Sequence, residues 1–527
     1  MLSQKTQSLI QQYQTWYQSL QRKEEVPVLH VDEVASKVAA FYEKIRGIIE
    51  WREEHLLRKT AIERILKRRL LLMEEREDIA QPLLLEFIRG GHFPNDSIEE
   101  IKIEEVQRII DKYIFILKHK TGNGEKERIE MYNWLLGIAA CEIEENLAPP
   151  LREHALIDFM SDLIRERIET KGGRQITQEE KDTQVYVACQ RALFKMDSPL
   201  ISLHLLESRF PYWGNLPKDE LQEIALNIHT IKREIEAIFH HPLAEKFYSV
   251  CEGYDTPYLI LNDILSQNPS QAKEVLSRTE NIENLIGEIY QKRLYRLKQR
   301  IRRAAFYSTI SIFLTKVLFA LLLEIPFDKY ITNTFSYVTL GLNIFIPPAL
   351  MMVMVATIRP PGKENFQRVL VEFMKIIKER ERKETYPLKL PSPRGFFMNS
   401  ILAIFYLLSF LISFGLLVFL LLKLRFGILS IFVFLLFLSL ILFAATKIRQ
   451  RAKELEVSEE KETLFSFFFD SFTFPFYSVG KWLSTQLEKY NIVVLLFNIL
   501  IELPFQFFVE FLEQWRYFLR EKKGEFH

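Results

Sequence analysis

Two kinds of apolar pattern divide the chain. Up to about residue 291 hydrophobic positions recur at helical spacing among charges, whereas after residue 303 they run almost unbroken. Leu9, Tyr13, Trp16 and Leu20 repeat at steps of four, three and four, which sets one apolar stripe on a Gln-rich helix that ends by Pro27. Val34, Val38, Phe41, Ile45 and Ile48 repeat the pattern behind Asp32, and Thr60 to Met73 is helical with cationic exposed positions. Glu127 to Leu147, Leu151 to Thr170 and Glu179 to Met196 are predicted helices, parted by Pro149-Pro150 and by Gly172-Gly173. Ser97 with Glu100, and Thr177 with Glu180, form capping-box patterns. Asp197-Ser198-Pro199 and Asp255-Thr256-Pro257 each put a cap ahead of a proline suited to a first helical turn. No useful length alternates with period two. Residues 1–291 therefore read as an all-α, multi-helix domain without an alignable repeat.

The later runs are long enough to cross a bilayer, whose core takes about 20 apolar residues in a helix. Spans are expected at about 304–323, 332–357, 397–422 and 428–446, with EIPFDKY after the first serving only as a reversing loop. Ahead of the first span, the juxtamembrane stretch 292–303 carries Lys292, Arg293, Arg296, Lys298, Arg300, Arg302 and Arg303 with no acid among them. Lys and Arg resist translocation, so this cluster, the basic loop 358–396 and Lys447 to Lys453 are all expected on the cytoplasmic side. Both termini then lie inside, and 304–446 forms a four-helix transmembrane domain in the inner membrane. Within the loop, Asn365 to Lys383 reads as a membrane-surface helix, with Phe366, Leu370, Phe373 and Ile377 on one side. Ser409 and Ser413, four apart in the third span, suit close helix packing.

The tail, 447–527, is expected to stay at the cytoplasmic surface. Phe465, Phe467, Phe468, Phe469, Phe472, Phe474, Phe476 and Tyr477 surround Asp470 and Pro475, a segment read as too short and broken to span but aromatic enough for the interface. Ile492 to Leu512 is long enough to cross, yet Asn498, Glu502, Gln506 and Glu510 recur every four residues and cations flank both ends. That polar stripe predicts a helix lying in the plane of the leaflet.

Composition adds limits. With 527 residues one core is too few, and a net charge of +1 gives no reason to expect nucleic acid. Anionic lipids of the inner leaflet are the expected partners of the basic cluster, with a homo-oligomer and a cytosolic protein partner as further possibilities. Cys141, Cys189 and Cys251 are odd in number and far apart, which reads as reduced thiols. Met1 to Gln21 has no cleavable apolar core, so the first span is expected to act as its own insertion signal.

Candidate chemistry is sparse. His154, Asp158 and Asp162 lie at i, i+4 and i+8, so one helix face offers an imidazole and two carboxylates to a metal, although a solvated face explains them as well. His240-His241 before Pro242 suits a helix C-terminus for its dipole alone. The GNG at Gly122 to Gly124 lacks the Lys-Ser/Thr ending of a phosphate loop and reads as a turn. No catalytic motif or cofactor fingerprint is present. Inside the spans, Lys316 is the one charge of span one, and an unpaired charge there costs at least about 2.5–3.5 kcal/mol. It needs a partner or water, or else snorkels outward. Asn343 and the Pro347-Pro348 pair in span two supply a polar group and a break that frees carbonyls.

The segments AFYSTISIFLTKVLFALLLEIPFD and NIFIPPALMMVMVATIRPP resemble a group of uncharacterised bacterial polytopic membrane proteins with a helical N-terminal domain, over about Asp182 to the C-terminus. The resemblance implies that architecture and no activity. The leading expectation is a membrane-anchored interaction or scaffold protein. A channel or transporter oligomerised around Lys316 is the alternative, and a membrane-associated enzyme using the His154 face is a third.

Overall fold

The computed structural model describes residues 2–20, 26–31, 54–72, 78–119, 124–171, 176–277, 279–331, 336–358, 360–378, 385–389, 395–457 and 464–490, with 511, 514, 515 and 518. It is all-α apart from one two-stranded sheet, Ile168–Lys171 with Tyr386–Lys389. Four helices are long and apolar enough to cross a membrane, and they follow a multi-helix N-terminal region. The chain divides into two compact units. Among the described residues, one lies within 4–168 and 176–251, and the other within 169–171 and 252–490.

The first unit is built around the helix Glu125–Leu147. From Leu135 to Glu144 every residue of it is buried, which a helix tolerates only when covered on all sides. Glu54–Leu72, Ile101–His119 and Ser198–Arg209 supply that cover. A side chain at Gly137 would press on Pro199, so the approach of Ser198–Arg209 favours glycine there. The stripe on Gln4–Ser19 buries Leu9 and Tyr13 against Leu151–Arg167, while Leu20 is exposed beyond the helix end. Thr177 caps Gln178–Phe194 with the reciprocal Glu180 bond, and Asp197 caps Ser198–Arg209 through Leu200 N–H. Ser97 differs from its expected role. Its hydroxyl turns back to the Pro94 carbonyl and the helix starts only at Ile101. Asp255 also differs, being the first residue inside its helix and not its cap. Val34 to Ile48 lie outside the described residues.

In the second unit, Thr279–Phe319 is one helix through the basic stretch and into the first span. At 41 residues it is about 60 Å long, twice the hydrocarbon thickness, so the cationic half stands clear when the apolar half is immersed. Asp255–Gln267 and Ala272–Ser277 pack on this cationic half, which is why the unit begins at Glu252 and not at Lys292. Arg293 is tied there, donating to both oxygens of Asp263 at 2.6 and 2.8 Å and to the Leu259 carbonyl at 3.0 Å.

Three expectations need correction here. Glu324 to Tyr330 is no loop: a π-helical turn, Ala320–Glu324, runs into Ile325–Tyr330, with Pro326 just past the join. The loop helix is Lys363–Ile377, and its apolar face (Val369, Phe373, Ile376, Ile377) is covered by Asp255–Gln267 and the long helix, so protein occupies the place expected for lipid. Asn365 on it is buried and fully used, bonding Tyr290 Oη, Leu455 O and Val457 N–H. Finally, the aromatic segment is not broken. Leu464–Tyr490 is a single helix against Ile428–Ala452 and Phe396–Lys423. Tyr337–Ala356 carries Pro347 and Pro348 inside it, both buried.

Candidate functional site

Two polar constellations lie in apolar surroundings, one in each unit. In the span unit, Lys316 does not reach outward: it is 0% exposed and its ammonium sits 2.5 Å from Glu324 Oε1 and over the Phe437 ring. Glu324 Oε2 in turn accepts from Asn343 Nδ2 at 2.6 Å. The Lys316 charge is thus met by a carboxylate of its own segment, eight residues on. A π turn holds its extra residue between the two, which re-aims Glu324 back along the helix. Asn343 Oδ1 has no partner among the described residues. Beside Glu324, Asp328 accepts from Ser430, and the space they border measures about 10 Å³, room for one water. Pro347 and Pro348 are buried near the middle of their helix, and the carbonyl that Pro347 frees belongs to Asn343. Of the basic juxtamembrane residues, Arg293 is half-buried on Asp263, whereas Lys292, Arg296, Lys298, Arg300, Arg302 and Arg303 are exposed. The stripe Asn498, Glu502, Gln506 and Glu510 lies outside the described residues.

In the N-terminal unit a cleft of about 500 Å³ opens between the central helix and its neighbours, bordered by Glu105, Arg108, Glu142, Glu145, His154 and Glu207. Its back is braced by a buried network on Glu142. Lys112 donates to Glu142 Oε1 at 2.5 Å and to the Trp213 carbonyl at 2.8 Å, while Tyr113 Oη and Trp213 Nε1 donate to Oε2 at 2.6 and 3.0 Å. Burial lowers the Lys112 pKa even with Glu142 beside it, and burial and the same carboxylate push Tyr113 well up.

The turn at Pro149-Pro150 folds the end of the central helix back on Leu151–Arg167, so Glu145 meets His154. From Ser198–Arg209, His204 joins them. Its Nε2 is 2.8 Å from Glu145 Oε1 and 3.2 Å from His154 Nε2, and His154 Nε2 is 3.5 Å from the same oxygen. His204 Nδ1 rests 2.6 Å from Gln190 Oε1. Burial works to raise the Glu145 pKa, but its hydrogen bonds with both imidazoles hold it at about 2. On Glu207, burial and the nearby charges of Glu145 and Glu142 push the pKa up to about 7.

This differs from the expected helix face. Asp158 and Asp162 are exposed, and His154 turns away from them toward His204. The missing partners are fifty residues downstream and nine upstream in different helices, and no local spacing in the chain marks them. His240 meets the plain expectation, with Nδ1 against the Glu236 carbonyl at the helix end. Cys141, Cys189 and Cys251 are buried and form no disulfide among the described residues, and the Sγ atoms of Cys189 and Cys251 lie 3.8 Å apart. Compared with known proteins, the chain matches no family model, no curated protein and no solved structure.

Proposed function

We propose that the chain is a membrane-anchored binding protein whose N-terminal helical unit does the work and whose spans hold it at the bilayer. The observation that carries this reading is the cleft of about 500 Å³ in that unit, where ionisable groups converge from several helices. Sites for small ligands are commonly concave, with a few placed polar groups. The reading is supported within the spans, where Lys316, Glu324 and Asn343 bond one another and the space beside Glu324 and Asp328 measures about 10 Å³.

In this reading the spans lie in an inner membrane with both termini cytoplasmic, because the three basic clusters share that side. The exposed cations from Lys292 to Arg303 bind anionic headgroups, each worth about 1 kcal/mol near the surface. The cleft also leaves room for the scaffold role in which a cytosolic partner docks on the helical unit.

Reconstitution into liposomes separates this from transport. The purified full chain is expected to pass K⁺, Na⁺, Cl⁻ and H⁺ no faster than protein-free vesicles. A flux that Lys316→Leu abolishes rejects the anchor reading and installs the channel. Orientation is checked with Gly362→Cys, whose thiol should be unreactive to an impermeant reagent outside intact cells.

A further inference from the structure

We infer that Glu145, His154 and His204 form a binding site for a divalent transition metal of the zinc type, at the edge of the cleft. The inference deepens the preceding one, since it assumes that the N-terminal unit is the working part. Metal bonds of about 2.0–2.1 Å at tetrahedral angles set neighbouring donor atoms about 3.3 Å apart. The three separations here, 3.2, 2.8 and 3.5 Å, bracket that value. All three donor atoms lie within 4.8 Å of one another, and each comes from a different helix held by the core.

The chemistry of the donors agrees with the spacing. Gln190 Oε1 lies 2.6 Å behind His204 Nδ1, so a His204 carrying its proton on that nitrogen would present the Nε2 lone pair to a metal held with Glu145 and His154. A buried amide oxygen fixing the tautomer from behind is the usual outer shell of a metal-bound histidine. Glu145 presents its Oε1 to both imidazoles, at 2.8 and 3.5 Å. An anion and two imidazole nitrogens in this contact need positive charge among them. A metal ion placed among the three donors supplies that charge. Nitrogen donors exclude Mg²⁺ and Ca²⁺ as the preferred ions.

Two histidines and a glutamate are also the donor set of hydrolytic zinc sites, which keep a fourth position open. Glu145 and His154 border the cleft, so a metal held by the three faces it. Glu207 borders the same cleft one helical turn beyond His204. That places a second carboxylate beside the cleft, able to take or give a proton to what the metal holds. The ligand class implied for the cleft is accordingly one with an oxygen or nitrogen donor able to enter the metal's open position.

The test uses the full chain in detergent, stripped with a chelator and titrated with Zn²⁺ and, in parallel, Co²⁺. Wild type is expected to take up one equivalent and to show Co²⁺ d–d bands of tetrahedral intensity. His154→Gln and Glu145→Gln should each weaken binding at least about 100-fold, beyond what loss of an outer-shell partner costs. Gln190→Leu should weaken it about 10- to 100-fold. Asp158→Asn together with Asp162→Asn should leave it unchanged, with all variants matched for helical circular dichroism. Because His154 is partly exposed, His154→Gln is the variant that keeps the fold. No uptake by wild type, or uptake indifferent to His154→Gln and Glu145→Gln, overturns the site. A chain that carries no ion flux and takes no metal overturns the site alone and leaves the anchor reading standing.

Discussion

The two units bury a lysine beside a glutamate by different means. In the N-terminal unit, Lys112 and Glu142 come from separate helices, and Trp213 arrives from a third segment to complete the set. In the span unit, Lys316 and Glu324 come from one stretch of chain, closed by Asn343. The first arrangement exists only once several elements have packed by removing apolar surface from water. The second can form within a single inserted segment before any other helix arrives. That difference follows from the solvent. Lipid gives no hydrophobic drive for helices to associate, so polar groups are settled locally and helices then meet through close backbone contact and hydroxyl-to-carbonyl bonds.

The largest expected effect separates the two directly. Lys316→Leu leaves the Glu324 carboxylate buried and should destabilise the span unit by about 3–5 kcal/mol, the range for breaking a buried pair on one side. Lys316→Leu with Glu324→Leu should recover most of this, since removing both charges is often neutral or stabilising. Unfolding in mixed micelles, followed by denaturant titration of the single and double variants, gives the cycle. If the double variant is as damaged as the single, the pair does more than neutralise itself.

Lys112→Met should cost somewhat less, about 3 kcal/mol, because Tyr113 and Trp213 still donate to Glu142. Chemical denaturation of the full chain, read by Trp213 fluorescence with the other tryptophans replaced, checks it. A loss well above that would mean that the lysine's bond to the Trp213 carbonyl, and not its charge, holds the segment.

How much of this was legible in the chain depended on whether partners were near in sequence. The spans were readable because charge-free runs need no partner to be recognised. Thr177 with Glu180 and Asp197 with Pro199 were readable because a cap acts over three residues. Glu324 was missed as a partner because Pro326 beside it looked like the start of a loop, and a π turn has no signature in a 3.6-residue period. His154 was legible as a candidate ligand, but its own helix face pointed to Asp158 and Asp162. Packing turned it to His204, which only tertiary structure brings within reach. The helix Leu464–Tyr490 was hidden by Asp470 and Pro475, which break a helix unless another element repairs the damage.

The packing contrast is sharpened at Gly480. A Cβ there would fall inside the van der Waals radius of the Ser439 carbonyl oxygen, so Leu464–Tyr490 and Ile428–Ala452 meet backbone to backbone. Gly480→Leu should cost about 1–3 kcal/mol by overpacking and part the two helices. Denaturant unfolding of wild type and Gly480→Leu in mixed micelles measures the loss. No comparable loss is expected at Gly253 in a helix of the soluble type, where a side chain meets nothing within 4 Å.

The smallest effect concerns how Pro475 is tolerated. A proline inside a helix has no N–H for the carbonyl four residues back, which here belongs to Ser471. In water that carbonyl would be solvated; in apolar surroundings an unmet one is costly, so a donor has to come from elsewhere. Ser409 supplies it, its hydroxyl donating to Ser471 O at 2.7 Å, and Ser413 donates likewise to Phe472 O at 2.9 Å. These bonds matter the more because Phe396–Lys423 buries little else, with only Ser413 and Leu421 fully covered. Ser409→Ala should therefore destabilise the contact by about 1 kcal/mol, the usual net value of one hydrogen bond and within the range measured between membrane helices. The decisive comparison is with Pro475→Ala, which restores the helix's own N–H to Ser471 O. In that background Ser409→Ala should cost close to nothing, because its acceptor is already served. Equal losses in both backgrounds would show that the serine acts by packing alone, and the repair of the proline break would have to be sought elsewhere.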